Sequence, residues 1–215
     1  MNVSPSKENI LKKIRKALSQ STPIPFPGSE GNTSVYHPSI QELEVEFAEQ
    51  FSKLLGKFVY CSDAGELNAQ LHALLASEKL EKVFCNEPKL AALLPAVTKI
   101  GDLYQDLSSC DVAITSCECL VARTGSMVLS AAQASGRTAS VYAPVHICIA
   151  TVDQLVYDIK DAFQLLKEKY PQELPSMISF ATGPSRTADI EKTLVVGVHG
   201  PKEVYLFLVE QLPPF

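Results

Sequence analysis

Between Ser6 and Gln20 the apolar residues Ile10, Leu11, Ile14 and Leu18 recur at spacings of three and four, with Lys and Arg between them. That period predicts an amphipathic helix. Pro23, Pro25 and Pro27 then forbid a helix and predict an extended connection to about Pro38, so the first helix is expected to form an arm. A second helix is expected from Ser39, which makes a capping-box pattern with Glu42. It would carry Leu43, Phe47, Phe51, Leu54 and Leu55 inward and stop at Gly56.

From Lys57 onward, short β-branched or aromatic runs alternate with helical patterns. Strands are expected at 57–61, 82–85 and 111–115, with helices over 63–77 and 88–94. Three apolar runs at 126–129, 139–142 and 145–150 are joined by Gly- or Pro-containing turns, which reads as local hairpins. Thr151 is expected to cap a long helix to about Tyr170, and strands at 177–181, 194–198 and 204–209 close the chain. The alternation implies an α/β fold with a mainly parallel sheet covered by helices, and the hairpins add some antiparallel strands. The expected organisation is an N-terminal helix and proline-rich arm over residues 1–38 and one α/β domain over 39–215.

Composition narrows the classes. With 46 % hydrophobic and 20 % charged residues in 215, the chain is a folded globule rather than a disordered one. Its 19 Lys plus Arg against 24 Asp plus Glu give a net charge of −5, and the single dense basic run, Lys12 to Lys16, reads as the wet face of a helix. No nucleic-acid partner is expected. No run approaches the roughly 18 apolar residues of a membrane helix, and Met1 to Gln20 is polar where a signal peptide would be apolar. A cytoplasmic protein without a membrane partner is the expectation. Six cysteines are too sparse for a disulfide scaffold, and Cys61, Cys85 and Cys148 lie in apolar runs where a reduced thiol behaves as a small hydrophobe.

The densest polar cluster runs from Ala181 to Glu191, just past an expected strand end. Ligands of open α/β sheets collect at carboxyl strand ends, where unpaired backbone N–H groups favour anions. Gly183 permits close backbone approach, Ser185 and Thr187 supply hydroxyls, and Arg186 offers a planar fork for a carboxylate or phosphate, with Asp189 nearby. The competing reading is a helix cap at Ser185 or Thr187, with Arg186 paired to Asp189 or Glu191. Gly197-Val198-His199-Gly200-Pro201-Lys202 follows another apolar strand. His199, with a glycine two residues before it and one immediately after, could act as a general acid or base, an unperturbed imidazole having a pKa of about 6.5, and Lys202 adds an anion contact. The alternative is a turn histidine bonded to a neighbouring carbonyl. Thr124 and Gly125 form a further small-residue turn able to approach a ligand. Cys117 and Cys119 lack a partner pair, so no metal site is expected. A fourth group places Arg137 before and His146 after the 139–142 run, with His146 read as a core or edge residue.

Signatures for dinucleotide binding, P-loops, zincins and α/β-hydrolases are missing, and the cofactor is left unassigned. The segments 183–191, 197–203, 123–126 and 144–147 together resemble, in order, the motifs of the LUD-domain family, in particular its lactate-utilization protein C-like group. The resemblance implies a sheet similar to that of the sugar-phosphate isomerase and CoA-transferase superfamily. It also implies a part in the oxidation of lactate to pyruvate alongside iron–sulfur partner proteins. Many relatives carry an acidic residue where this chain has Arg123. Three functions therefore compete: a lactate-utilization component binding a small carboxylate- or phosphate-bearing ligand, a non-catalytic accessory or regulatory subunit, and an isomerase or acyl-CoA transferase.

Overall fold

Contacts within the chain separate two units, Met1–Pro38 and Ser39–Phe215. The computed structural model describes residues 5–19, 38–39, 41–95, 106–187 and 195–212. In the first unit the expected helix forms as α1 (Pro5–Leu18), with Glu8 in its first turn and Arg15 and Lys16 in its last, each sign complementing the helix dipole. The expected proline-rich connection lies outside the described residues.

The second unit begins with α2 (Leu43–Lys53), three residues later than the pattern suggests. Glu42 holds the N-cap position, while the Ser39 hydroxyl sits against the Gln41 carbonyl and the Glu46 carboxylate instead of capping the helix. Phe47 and Phe51 are buried, but Leu55 is 56 % exposed because the chain leaves the helix there through a left-handed φ of 68°. The alternation then appears as β1 (Lys57–Asp63), α3 (Ala64–Ser77), β2 (Val83–Phe84), α4 (Pro88–Ala92) and β3 (Val112–Thr115). Asp63 accepts the Glu66 N–H at 2.9 Å and so caps α3. A short hairpin follows, β4 (Cys119–Val121) and β5 (Ser126–Ser130), and then α5 (Ala139–Tyr142), β6 (Val145–Thr151), β7 (Leu155–Val156) and α6 (Ile159–Lys169). The strands β8 (Ile178–Ala181), β9 (Arg186–Thr187), β10 (Val195–Val196) and β11 (Glu203–Gln211) close the unit.

Five strands form a parallel sheet in the order β1-β11-β6-β3-β2. A second sheet has the order β7-β4-β5-β8, with β5 antiparallel to both neighbours, and β9 pairs with β10 in a two-residue antiparallel ribbon. The protein is thus α/β, with a mainly parallel, helix-covered central sheet and some antiparallel strands. Three local expectations differ. Residues 139–142 are helical, because Ala139 is buried while Val141 is exposed, and a strand would put both on one face. The 145–150 run is not part of a hairpin but a central parallel strand, β6. Thr151 caps only one 3-10 turn, after which β7 intervenes and Asp158 caps α6 by accepting the Lys160 N–H at 3.0 Å.

Both faces of the parallel sheet are covered. Ile147, Ile149, Phe207 and Val209 pack against Leu67, Leu71 and Leu75 of α3. On the opposite face Cys148, Ala150, Val204, Leu206 and Leu208 meet Leu120, Met127 and Leu129 of the second sheet and Phe47 and Phe51 of α2. Ala162 and Leu166 of α6 cover the outer face of that second sheet. Each fully buried large aliphatic or aromatic side chain contributes about 1.5–3 kcal/mol.

α2 lies directly on the turn between β4 and β5. Gly125 adopts a φ of 61°, and a Cβ there would stand 2.4 Å from the Phe51 backbone nitrogen. Gly125→Ala therefore combines a left-handed non-glycine residue with a backbone clash and is expected to destabilise the protein by about 2 kcal/mol or more. Urea unfolding checks this, and an unchanged midpoint would show that the helix can lift away freely.

Candidate functional site

Two backbone hydrogen bonds draw the two glycine-bearing loops together, and a third ties the second loop to the residue before β6. Ser185 N–H donates to Pro201 O at 2.9 Å, Gly197 N–H to Ser185 O at 2.9 Å, and Lys202 N–H to Pro144 O at 2.8 Å. The meeting point lies at the amino ends of β11 and β6, since the 197–202 segment enters β11 and Lys202 joins the residue before β6. The 183–187 segment follows the carboxyl end of a strand, β8, as expected, whereas the 197–202 segment enters β11 at its amino end. Of the strand expected at 194–198, Val195 and Val196 form β10, which among the described residues pairs with β9, and the 183–187 segment leaves β8, a member of the second sheet. The binding rule for parallel strands therefore does not locate these loops.

Between the loops lies a cavity of about 230 Å³, walled by Gly183, Ser185, His199, Gly200 and Pro201. The 129–146 region and β8 supply Arg137, Ser140, His146 and Ser179 to the same wall. A wider cleft of about 470 Å³ adjoins it through Val141, His199 and Gly200 and adds Tyr142, Gly197 and Lys202. Gly183 has a second constraint: at a φ of 99°, a Cβ would lie 2.5 Å from Leu54 O. Of the residues singled out in the sequence, Gly183, Ser185 and His199 share the smaller cavity, and Lys202 lines the wider one. Arg186 is exposed on β9, and neither it nor Thr187 lines these two cavities. Asp189 and Glu191 lie outside the described residues.

Thr124 and Gly125 stand apart from both cavities. Thr124 Oγ1 is 2.7 Å from Ser126 Oγ, which is 3.0 Å from Thr182 Oγ1, so the turn feeds a hydroxyl chain that links β5 to the end of β8. Arg123 donates from Nε to Asp158 Oδ2 at 2.6 Å, and its N–H donates to Tyr157 O. It clamps the turn to the N-terminus of α6. The Lys160 backbone N–H and the Arg123 guanidinium together hold the Asp158 carboxyl below its ordinary range, against its partial burial.

Two functional candidates emerge from the group the sequence ranks lowest. Arg137 lines the cavity and donates to Ser176 Oγ at 2.6 Å. His146 is buried at 1 % exposure, with Nε2 2.9 Å from Thr115 Oγ1. Burial pushes its pKa down to about 4. The only sequence signal was an Arg and a His flanking one short apolar run, which says nothing about convergence in space.

Deeper in the unit, polar groups are compensated rather than available. The fully buried Glu118 side chain accepts bonds from Ser130 Oγ at 2.5 Å, Lys169 Nζ at 2.8 Å and Tyr170 OH at 2.9 Å. Partial burial works against the Lys169 charge, but the Glu118 bond and the attraction of Glu118 and its neighbours together outweigh it and raise its pKa. Glu87 accepts the Ser116 N–H and hydroxyl. A bond to the Cys148 thiol, and then burial, raise the Cys117 pKa well above its ordinary value, and burial pushes Cys119 to about 12. These thiols stay protonated at neutral pH and are poor nucleophiles. Among the described residues no three His, Cys, Asp or Glu side chains gather to hold a metal ion.

Fold and site define an α/β protein whose loops close a cleft carrying Arg, His and Ser side chains. The chain belongs to the LUD domain family, whose profile matches residues 6–209. It is 34 % identical over 108 residues to lactate utilization protein C of Bacillus licheniformis, covering 49 % of this chain and 45 % of that protein. It is 36 % identical over 101 residues to the protein of the same name in Bacillus subtilis, covering 46 % and 42 %. The chain thus spans less than half the length of these curated relatives. A crystal structure of a DUF162 family protein from Deinococcus radiodurans shares the fold, with a TM-score of 0.54 and 18 % identity over 78 % of this chain and 96 % of that one.

His146 makes stability depend on pH. The unfolded chain takes up this proton near pH 6.5 and the folded protein only near 4, so between those values the unfolded state binds more protons. Stability from this group is complete above about pH 6.5 and falls as the pH drops toward 4, by roughly 3 kcal/mol at the limit. His146→Gln should flatten that interval in urea unfolding series between pH 4 and 7, and a parallel pair of profiles would refute the buried neutral histidine.

Proposed function

We propose that this protein is a component of lactate utilization that binds a small carboxylate- or phosphate-bearing ligand where the 183–187 and 197–202 loops meet. The observation that carries the reading is the pair of Ser185 backbone bonds, to Pro201 and Gly197, which makes one cavity wall of two loops distant in sequence. Arg137, an exposed residue that donates to Ser176 Oγ, supplies a guanidinium for the anion, His199 and Ser185 supply further hydrogen bonds, and Gly183 and Gly200 let the backbone come close. Lys202, and Arg186 beside Ser185 in the chain, raise the local positive potential on a molecule whose net charge is −5. Thr187 and Asp189 continue the same motif. The names of the relatives supply the metabolic setting, and the small cavity suits a small acid.

Calorimetric titration of the full chain with lactate, pyruvate and inorganic phosphate tests the reading. At least one should bind, and Arg137→Ala should weaken it by about 1.5–3 kcal/mol, the worth of a charge-assisted hydrogen bond. Binding of none of the three would remove the proposal.

A second reading, a non-catalytic accessory subunit of an iron–sulfur complex, draws on a different observation. On α1, taken by itself, Ile10, Leu11 and Ile14 form an apolar stripe that is 57, 37 and 47 % exposed. Affinity capture from the native host discriminates: an iron–sulfur partner retained by Arg137→Ala but lost on deletion of residues 1–38 favours the accessory role, and the reverse pattern excludes it.

A further inference from the structure

His146 gives the smaller cavity an inner end with a chemistry of its own. Although it is almost wholly buried, its ring is part of the cavity wall. Among the described residues the one hydrogen bond to that ring is at Nε2, from or to Thr115 Oγ1. Among the same residues no fully buried side-chain nitrogen or oxygen lacks a partner, so Nδ1 opens onto the cavity rather than into the packed interior. Val204 is its cross-strand neighbour, and Leu129, Met177, Arg137 and His199 line the same cavity.

An imidazole kept uncharged by burial cannot balance a carboxylate, and an anion pressed against it would be desolvated without a counter-charge. It can match one uncharged oxygen. The Thr115 hydroxyl both donates and accepts, so it supports either tautomer: Nδ1 can accept from a hydroxyl or donate to a carbonyl. The geometry points to His146 as the residue that reads an uncharged ligand oxygen, so that the cavity selects small hydroxy or oxo acids over acids lacking that oxygen. This rests on the anion-binding reading above and adds a specificity-determining residue to it. The division of labour is physical: the guanidinium takes the charged end, and the buried ring takes the neutral one.

Lactate and propionate differ by a single hydroxyl, so calorimetric titration of the full chain with each isolates the contact. Lactate should bind about tenfold more tightly, the worth of roughly one hydrogen bond. His146→Gln places an amide near the position of Nε2 and removes Nδ1. It should abolish the preference while leaving propionate affinity within about twofold, whereas His146→Asn, polar near the Nδ1 position, should keep part of it. If the variants fail to fold, ¹⁵N-histidine NMR of the wild-type protein replaces them, and lactate but not propionate should shift the Nδ1 resonance of His146. Equal affinity for the two acids, a preference that survives His146→Gln, or an unmoved Nδ1 resonance overturns the role of His146 and leaves the anion site standing. Failure of both acids to bind also overturns the role of His146, and the anion reading itself falls when pyruvate and inorganic phosphate fail to bind as well.

Discussion

Burial of β6 and β11 on both faces is the constraint from which the rest of the molecule follows. A parallel strand enclosed on each side must be apolar over most of its covered length, and Val204 to Val209 and Ile147 to Ala150 supply those stretches, with His146 the buried polar exception in β6. Enclosure then demands two covers. The leucine stripe of α3 supplies one, and the apolar face of the second sheet, helped by the phenylalanines of α2, supplies the other. The amino ends of these two strands are held by the tie from Lys202 to Pro144, so the cleft rests on the most deeply packed part of the protein.

An interior of this kind imposes a rule on polar groups: they are paired, or they lose their charge. Glu118 keeps its place through three donors, and Glu87 through the backbone and hydroxyl of Ser116. The other course is followed by Cys117, held protonated by its bond to Cys148 and by burial, and by Cys119 and His146, held protonated and neutral respectively by burial. Depth in the cavity and charge are thereby linked, with the neutral ring inside and the guanidinium of Arg137 in the same wall.

α2 couples the fold to the cleft. Its end is approached by two turns that only glycine can make: Gly125 beneath the Phe51 backbone and Gly183 beneath Leu54 O. Gly183 also lines the cavity, so the same residue fixes the helix and shapes the cleft.

Periodicity alone determined most of the elements: the helices over Ser6 to Leu18 and Ala64 to Ser77, the strands at Lys57, Val112 and Glu203, and with them the α/β class. Those signals are local, because a stripe of leucines or an unbroken apolar run records which face is buried wherever the partner comes from. The motifs around Ser185 and His199 were legible as candidates for the same reason, since glycine and polar residues mark loops. Which sheet each strand joins was not legible. A two- or three-residue strand such as β4, β9 or β10 carries too little pattern, and the register partners of β6 lie more than 30 and 50 residues away in the chain. Only the tertiary structure therefore decided that the loops meet beside the amino ends of β6 and β11, that Gly125 serves packing, and that Arg137 and His146 share a cavity with His199. Convergence of side chains depends on long-range pairing and burial, and neither leaves a trace in the neighbouring letters.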